Sequence, residues 1–348
     1  MGHAASFLIG TVAAMGIVRR PGDGPAARPV TLTERLVAKP GFGRRFALFA
    51  DAEEEFDWAR PFDRAATATG AIAALASATA RFNSAGLKPV YLCDYPVVHN
   101  PQSAGIIREL VSTGTADVGT QLHPWVNPPF DEVVNAHNSY SGNLPLELQR
   151  AKLAALTDRI ADATGVRPTV YRAGRYGLGP QTMGLLADAG YRMDVSVRSH
   201  FDYRNQGGPD YSDYPLWPWR TPEGPVELPL TSAWTGALRA IPALHDAPWM
   251  RGTLARSRML QRVPLTPEGV PLADAIDAIR VLFDEGLEVF SLSFHTPSLV
   301  PGHTPYVRTP EDLDAFWRWW DGVFEEFARL GVTPASCADL LDAFADDA

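Results

Sequence analysis

The sequence predicts an α/β fold, a closed or nearly closed (β/α) barrel of seven or eight strand–helix units. Three observations carry that prediction. Short β-prone apolar runs alternate with helical stretches from about residue 45 onward. Several helical stretches stop at a glycine, the residue suited to the left-handed turn that ends a helix. Acidic, basic and histidine residues stand directly after the apolar runs, where the strands of a parallel barrel open on one rim.

The elements follow in order. Residues 1–43 are rich in Pro, Gly and Arg towards their end and read as an N-terminal tail or linker, with 44–348 as a single barrel domain. Arg45–Ala50 is the first strand. Ala65–Ala85, Ala-rich and free of Pro, is a helix that stops at Gly86. Pro89–Cys93 is the second strand, Gln102–Thr113 a helix, and Ala116–Leu122 the third strand. Leu146–Thr164 is a helix ended by Gly165; Thr169–Tyr171 is a strand. Gln181–Ala189 is a helix closed by Gly190. Arg192–Val197 and Val226–Leu230 read as strands, Asp274–Phe283 as a helix, and Leu287–Phe294 as a strongly β-prone strand. Thr309–Leu330 is a helix with a Trp-rich face, Gly331–Ser336 a short strand, and a C-terminal helix closes the chain. Ser199–Pro225 and Ser232–Pro264 break the rhythm as long, aromatic, irregular stretches, the kind that often carry function.

Composition bounds the function. The chain has 348 residues, 46% hydrophobic and 20% charged, an ordinary globular balance that excludes wholesale disorder. Forty acidic residues outweigh 31 basic ones for a net charge of −9, so no broad positive field draws nucleic acid. Two cysteines, Cys93 and Cys337, permit neither a disulfide framework nor a zinc ribbon and read as buried thiols. Ala4–Val18 is weakly apolar, shorter than a membrane span needs, and preceded by no Lys or Arg. The expectation is a cytoplasmic protein without stable membrane insertion, the alternative being anchoring or export through residues 4–18. No dinucleotide or P-loop glycine pattern, GxSxG elbow or HExxH helix is present.

The candidate site follows from the strand ends. Asp51 and Glu53 follow the first strand with the two-residue spacing that puts both on one side of an extended segment, as metal ligands or a general base. The plainer alternative is a helix cap. His123 follows the third strand, beside Pro124 and the flat face of Trp125. Its alternative is a hydrogen-bonded core histidine. Arg172 and Arg175 flank Gly174 after the fourth strand, able to orient a carboxylate or to close the rim as an ion pair. His295 leaves the late apolar strand as a candidate general acid. His303, in a Pro-Gly-His-Thr-Pro loop, is a ligand or an ordinary loop residue.

Four segments together resemble the NodB-homology polysaccharide deacetylases, and most of all their WalW-type branch. They are Leu48–Trp58, Asp117–Trp125, Tyr171–Gly177 and Ser293–Ser298, and they bracket about residues 45 to 340. The resemblance implies a distorted (β/α) barrel and metal-assisted hydrolysis of an N-acetyl group on a glycan, in surface-polysaccharide metabolism. By this likeness Asp51 matches the catalytic base, Arg172 the arginine that orients it, and His295 the general acid. The family's second aspartate is replaced by Ala52, and its two metal-binding histidines by Gln121 and Trp125, with His123 between them.

The resemblance therefore implies a divalent metal, zinc above all, on Asp51, Glu53 and His123. An N-acetylated oligo- or polysaccharide would lie against Trp125, Arg175, Tyr176, Trp217, Trp219 and His303. Two alternatives stand beside it: a glycan-binding or interaction module with a relic site, and a glycosidase using two carboxylates.

Overall fold

The computed structural model describes residues 35–57, 60–245 and 253–345. Its centre is one curled sheet. The strands are β1 (Arg45–Ala52), β2 (Val90–Cys93), β3 (Asp117–Leu122), β4 (Val170–Ala173), β5 (Met193–Asp194), β6 (Trp219–Arg220), β7 (Val226–Glu227), β10 (Val289–His295) and β11 (Thr333–Pro334). They lie in the order β10–β1–β2–β3–β4–β5–β7–β6, with β11 beside the start of β1. All pairs are parallel except β6–β7. This is a distorted (β/α) barrel.

Among the described residues β10 and β7 do not pair. Thr231 fills the gap: its amide donates to Ser291 O at 3.2 Å and its hydroxyl accepts from Ser291 N at 2.8 Å. The segment continues into an antiparallel hairpin of β8 (Ser232–Thr235) and β9 (Gln261–Pro264), where an irregular stretch was expected.

Period-two alternation sorts the side chains. Phe46, Leu48 and Ala50 of β1 pack under the outer helices, while Ala47 and Phe49 point inward with Val90, Leu92, Val170, Met193 and Val289. The same inward parity, carried to the carboxyl end of each strand, selects Asp51 and Glu53, Gln121 and His123, Arg172 and His295. The apolar residues plug the barrel and the polar ones crown it.

The helices close the outside. They are α1 (Leu75–Ser84), α2 (Tyr95–His99), α3 (Pro101–Ser112), α4 (Leu146–Thr164), α5 (Thr182–Asp188), α6 (Pro242–His245), α7 (Leu272–Asp284), α8 (Pro310–Leu330) and α9 (Cys337–Ala343). α8 starts on a capping box between Thr309 and Asp312 and buries Phe316, Trp319, Trp320, Val323 and Phe327, a 3–4 spacing that lays one face on β1 and β10. α4 ends as expected, because Gly165 takes the left-handed conformation (φ 78°) that costs other residues strain.

Three expectations are corrected. The helix expected from Ala65 begins at Leu75, after a short 3₁₀ turn over Gly70–Ala74; Asp63 first caps a turn by accepting from Ala65 N at 2.9 Å. The strand expected over Arg192–Val197 shortens to Met193–Asp194. Residues 35–43, expected as tail, pack on the barrel instead. Leu36 N donates to Pro218 O and Lys39 N to Ala343 O, while Leu36, Ala38 and Phe42 lie against the inner apolar cluster. Residues 4–18 lie outside the described residues. No described helix is long and apolar enough to cross a membrane.

Candidate active site

The inward crown converges where the strand registers dictate. Asp51 on β1 is level with His295 on β10, and Gln121 on β3 with Arg172 on β4. Arg172 is fully buried, and its Nη1 donates to Asp51 Oδ1 at 2.5 Å and to Phe49 O at 3.2 Å. Its Nε donates to Val195 O at 3.0 Å, so the guanidinium is fixed across the barrel. The other oxygen of Asp51, Oδ2, faces His295 Nε2 at 3.5 Å. The far nitrogen of that ring, Nδ1, bonds Glu268 Oε2 at 2.6 Å, and Glu268 Oε1 accepts from the His295 amide and the Ser298 hydroxyl. Glu268, from the loop after β9, has no motif around it that would have marked it in the sequence.

His123 has a matching arrangement one strand further round. Its Nδ1 lies 2.8 Å from Glu54 Oε2, and Trp125 Nε1 donates to Glu54 Oε1 at 3.0 Å. Glu54 N donates to Asp94 Oδ2 at 2.7 Å, and Asp94 caps α2 through Val97 N. Held in this way, His123 aims Nε2 at Glu53 Oε2, 3.6 Å distant. Glu53 also accepts from Gln121 Nε2 at 3.0 Å, whereas the buried Gln121 Oε1 has no hydrogen-bond partner among the described residues.

Electrostatics divides these groups. Burial pushes the Glu53 carboxyl up to about 8, against the pull of His295 and His123. Burial and hydrogen bonding to Glu54 hold Asp94 well above the usual carboxylate range, and burial raises Glu54 as well. Burial lowers His123 below the ordinary histidine value. His295 goes the other way: burial works against its charge, but Glu268, Glu53 and Asp51 raise it well above that value. Glu268, though buried, is held below the usual range by His295 and Ser298. Ligating atoms of Asp51, Glu53 and His295 lie within 4.8 Å of one another, as do those of Glu54, Asp94 and His123. Glu53 Oε2 and His123 Nε2 join the two groups.

The crown forms the floor of a cavity of about 360 Å³. Its walls include Tyr140, Tyr176, Tyr203 and Tyr306, with Arg175, Arg198, Gln206 and His303. His303 Nδ1 lies 3.4 Å from Glu55 Oε2. Gly174 lets the turn after β4 lie against β3, since a Cβ there would meet Leu122 O at 2.5 Å. Arg175 and Tyr176 follow in left-handed backbone (φ 56° and 61°), an uncommon pair for residues with side chains. Lys152 of α4 clamps the loop leaving β3: its buried ammonium donates to Pro124 O, Asn127 O and Pro129 O at 2.9, 2.6 and 2.6 Å and pairs with Glu132 at 3.0 Å.

Arg175, Tyr176 and His303 thus stand on the cavity, with Asp51, Glu53, His123, Arg172 and His295 on its floor. Three tryptophans do not line it. Trp125, expected as a sugar platform, is 1% exposed and stacks on His123 at 4.4 Å between ring centres, so it supports the floor from behind. Trp217 and Trp219 pack with Tyr214 and Val197 in a separate cluster, where the backbone of Arg35 bridges Trp219. Glu54 and Gln121 were present in the motif segments, but only the fold shows their orienting contacts.

No family model and no curated protein matches the chain. Among solved structures it is similar to a Mycobacterium smegmatis protein provisionally named a polysaccharide deacetylase, at 14% identity and a TM-score of 0.51, over 91% of this chain and 94% of that one. The fold is that of the polysaccharide deacetylases. Other solved structures match with lower scores, two of them as follows. Puue allantoinase is 16% identical (TM-score 0.46, 87% of this chain, 91% of that one), and a family 4 carbohydrate esterase from Streptomyces lividans 12% (TM-score 0.41, 88% and 98%). At such identities the likeness is one of fold.

Proposed function

We propose that the chain is a metal-assisted amide hydrolase that removes the acetyl group from an N-acetylated glycan. The observation that supports this is the meeting of Asp51 and His295 on adjacent strands at 3.5 Å, each fixed from behind by a charged partner of its own. A carboxylate and a protonated imidazole at the base of an open cavity are a general base and a general acid in reach of one bond.

The donors beside them fit a divalent cation. Among the described residues Glu53 is a buried acid with no cationic side chain hydrogen-bonded to it, Gln121 Oε1 is an acceptor without a donor, and Glu54 on Nδ1 leaves His123 Nε2 turned to Glu53. A carboxylate behind a ligating imidazole is the usual support of a metal-binding histidine. Glu53 and His123 would hold the ion with the unpartnered Gln121 Oε1 as third donor, a mixed oxygen and nitrogen set that zinc accepts. When bound, it would polarise the scissile carbonyl and acidify a water. Arg172 holds Oδ1 of Asp51, and Oδ2, 3.5 Å from His295 Nε2, is the oxygen left to act as base.

Asp51 accepts the proton of the attacking water through Oδ2, while Arg172 keeps its carboxylate turned to the cavity. His295 donates its Nε2 proton to the leaving nitrogen, so that the C–N bond breaks to a free amine and acetate. Glu268 holds the ring in register and balances its charge. The tyrosine-rich walls suit a sugar ring, which stacks its C–H face on aromatics. The WalW-type branch and a role in surface-polysaccharide metabolism belong to this reading and rest on the four motif segments.

Acetate release from N-acetylated oligosaccharides, measured after reconstitution with zinc, tests the proposal. Release that Asp51→Asn and His295→Ala abolish supports it. Reducing ends without acetate would indicate a glycosidase instead. Saturable glycan binding without turnover under any metal would indicate a binding module.

A further inference from the structure

Two arginines on the cavity wall have no acidic partner among the described residues. Arg198 follows β5 onto the carboxyl rim. Its guanidinium lies over the ring of Phe201 at 4.1 Å and that of Tyr176 at 5.1 Å; among the described residues its side-chain hydrogen bond is a long one to Tyr203 Oη (3.4 Å), and its buried Nε has none. Arg175 lies over Tyr140 at 4.1 Å and donates to Ser139 Oγ and Gln206 Oε1 at 2.5 and 2.7 Å, all neutral groups. Among the described residues neither arginine makes an ion pair, whereas the cationic side chain on the floor, Arg172, is paired with Asp51.

This contrast matters because a partly buried cation without a counter-charge is costly to keep. Aromatic faces offset part of that cost and fix the plane of the guanidinium, but they leave its charge unbalanced. The chain as a whole carries a net charge of −9, so attraction of an anion here is local. Arg175 is moreover held in left-handed backbone, a placement the chain adopts against its intrinsic preference.

We infer that the wall formed by Arg198 and Arg175 receives a carboxylate of the glycan, so that the substrate is an acidic N-acetylated sugar chain rather than a neutral one. The inference rests on the deacetylase reading for the acyl group only; the charge of the ligand follows from the wall. A guanidinium edge receives a carboxylate in a two-pronged hydrogen bond. The aromatic rings flanking each arginine would lie against the sugar that carries it.

Calorimetric titration of the intact, zinc-loaded protein tests this with three probes of equal length. They are oligosaccharides alternating N-acetylglucosamine with glucuronate, the same oligosaccharides with carboxyls reduced to alcohols, and 6-O-sulfated chitooligosaccharides. The expected result is binding at least about tenfold tighter for the uronate probe than for its reduced form, weakening with added salt. Arg198→Gln brings the two within about twofold, and Arg198→Lys restores part of the difference. Equal binding of uronate and reduced probes by the wild type overturns the inference, as does a preference that survives Arg198→Gln combined with Arg175→Gln. Tighter binding of the sulfated probe overturns the assignment to a carboxylate. Should Arg198→Gln fail to fold, the wild-type comparison alone decides. The two readings fail separately: acetate release from neutral and acidic chains alike refutes this one only, and charge-selective binding without acetate release refutes only the deacetylase.

Discussion

His123 and His295 are wired alike and behave in opposite ways. Each has a glutamate on Nδ1, Glu54 at 2.8 Å and Glu268 at 2.6 Å, and each turns Nε2 to an acid of the first strand's exit, Glu53 or Asp51. Yet His123 is lowered and His295 raised. The difference lies in what stands behind the ring. Glu54 spreads its hydrogen bonds over His123, Trp125 and Asp94, each 1% exposed or less, so burial outweighs its pull on the ring. Glu268 is held ionised by Ser298 and two bonds to His295, whose side chain is 28% exposed. One imidazole is kept neutral, as a ligand must be, and the other charged, as an acid must be.

The comparison is broken most decisively at the acid. His295→Ala lowers kcat/KM for acetate release about 10²- to 10⁴-fold while bound metal per chain stays at the wild-type value. Loss of metal in that variant would show that both rings serve one role. Glu54→Gln should act on the other ring, weakening metal affinity about 10- to 100-fold in competition with a chelator, and leaving the alkaline limb of the pH–rate profile in place.

Glu268→Gln sharpens the contrast. It removes the main charge that raises His295, so the ring titrates at lower pH by NMR and the alkaline limb moves down with it. The sign for stability follows. Glu268 is lowered, so its contribution is lost as pH falls through its folded value. His295 is raised, so its contribution is complete below the unfolded value near 6.5 and fades as pH rises through the folded one. Glu268→Gln therefore costs about 1–2 kcal/mol at neutral pH and less at alkaline pH, measured by denaturant melts.

Glu326 supplies the baseline. Bonds from Arg329 and Arg280 bring it to about 2, but both partners are largely exposed. Glu326→Gln should cost a few tenths of a kcal/mol, at most about 1, with no effect on turnover.

Much of this barrel is legible in the sequence because alternation and helix stops are local properties. Leu146–Thr164 appears with the boundaries its glycine stop implies, and β1 adds only Asp51 and Ala52 to the expected run. The placing of Asp51, His123, Arg172 and His295 at strand ends is likewise a matter of counting. What cannot be counted is contact between distant segments. Glu268 is an unremarked loop acid until β9 brings it under His295. The hairpin of β8 and β9 hides behind Trp234, Arg262 and Pro264 in a stretch with no clean alternation. Trp217 and Trp219 mislead because an exposed platform and a packed indole have the same composition; only their neighbours tell them apart.

The Lys152 clamp and the aromatic cavity wall are built in unlike ways. Three carbonyls and a carboxylate converge on one ammonium, so the loop leaving β3 is held from the helix that follows it. The segment carrying Arg198 and Tyr203 combines ring contacts with backbone hydrogen bonds of its own, such as Tyr203 N to Pro209 O and Tyr211 N to Phe201 O. Redesign towards other sugars therefore has a natural starting point in Tyr176, Tyr203 and Tyr306, whose rings face the cavity, while the clamped stretch from Pro124 to Glu132 is left as it stands.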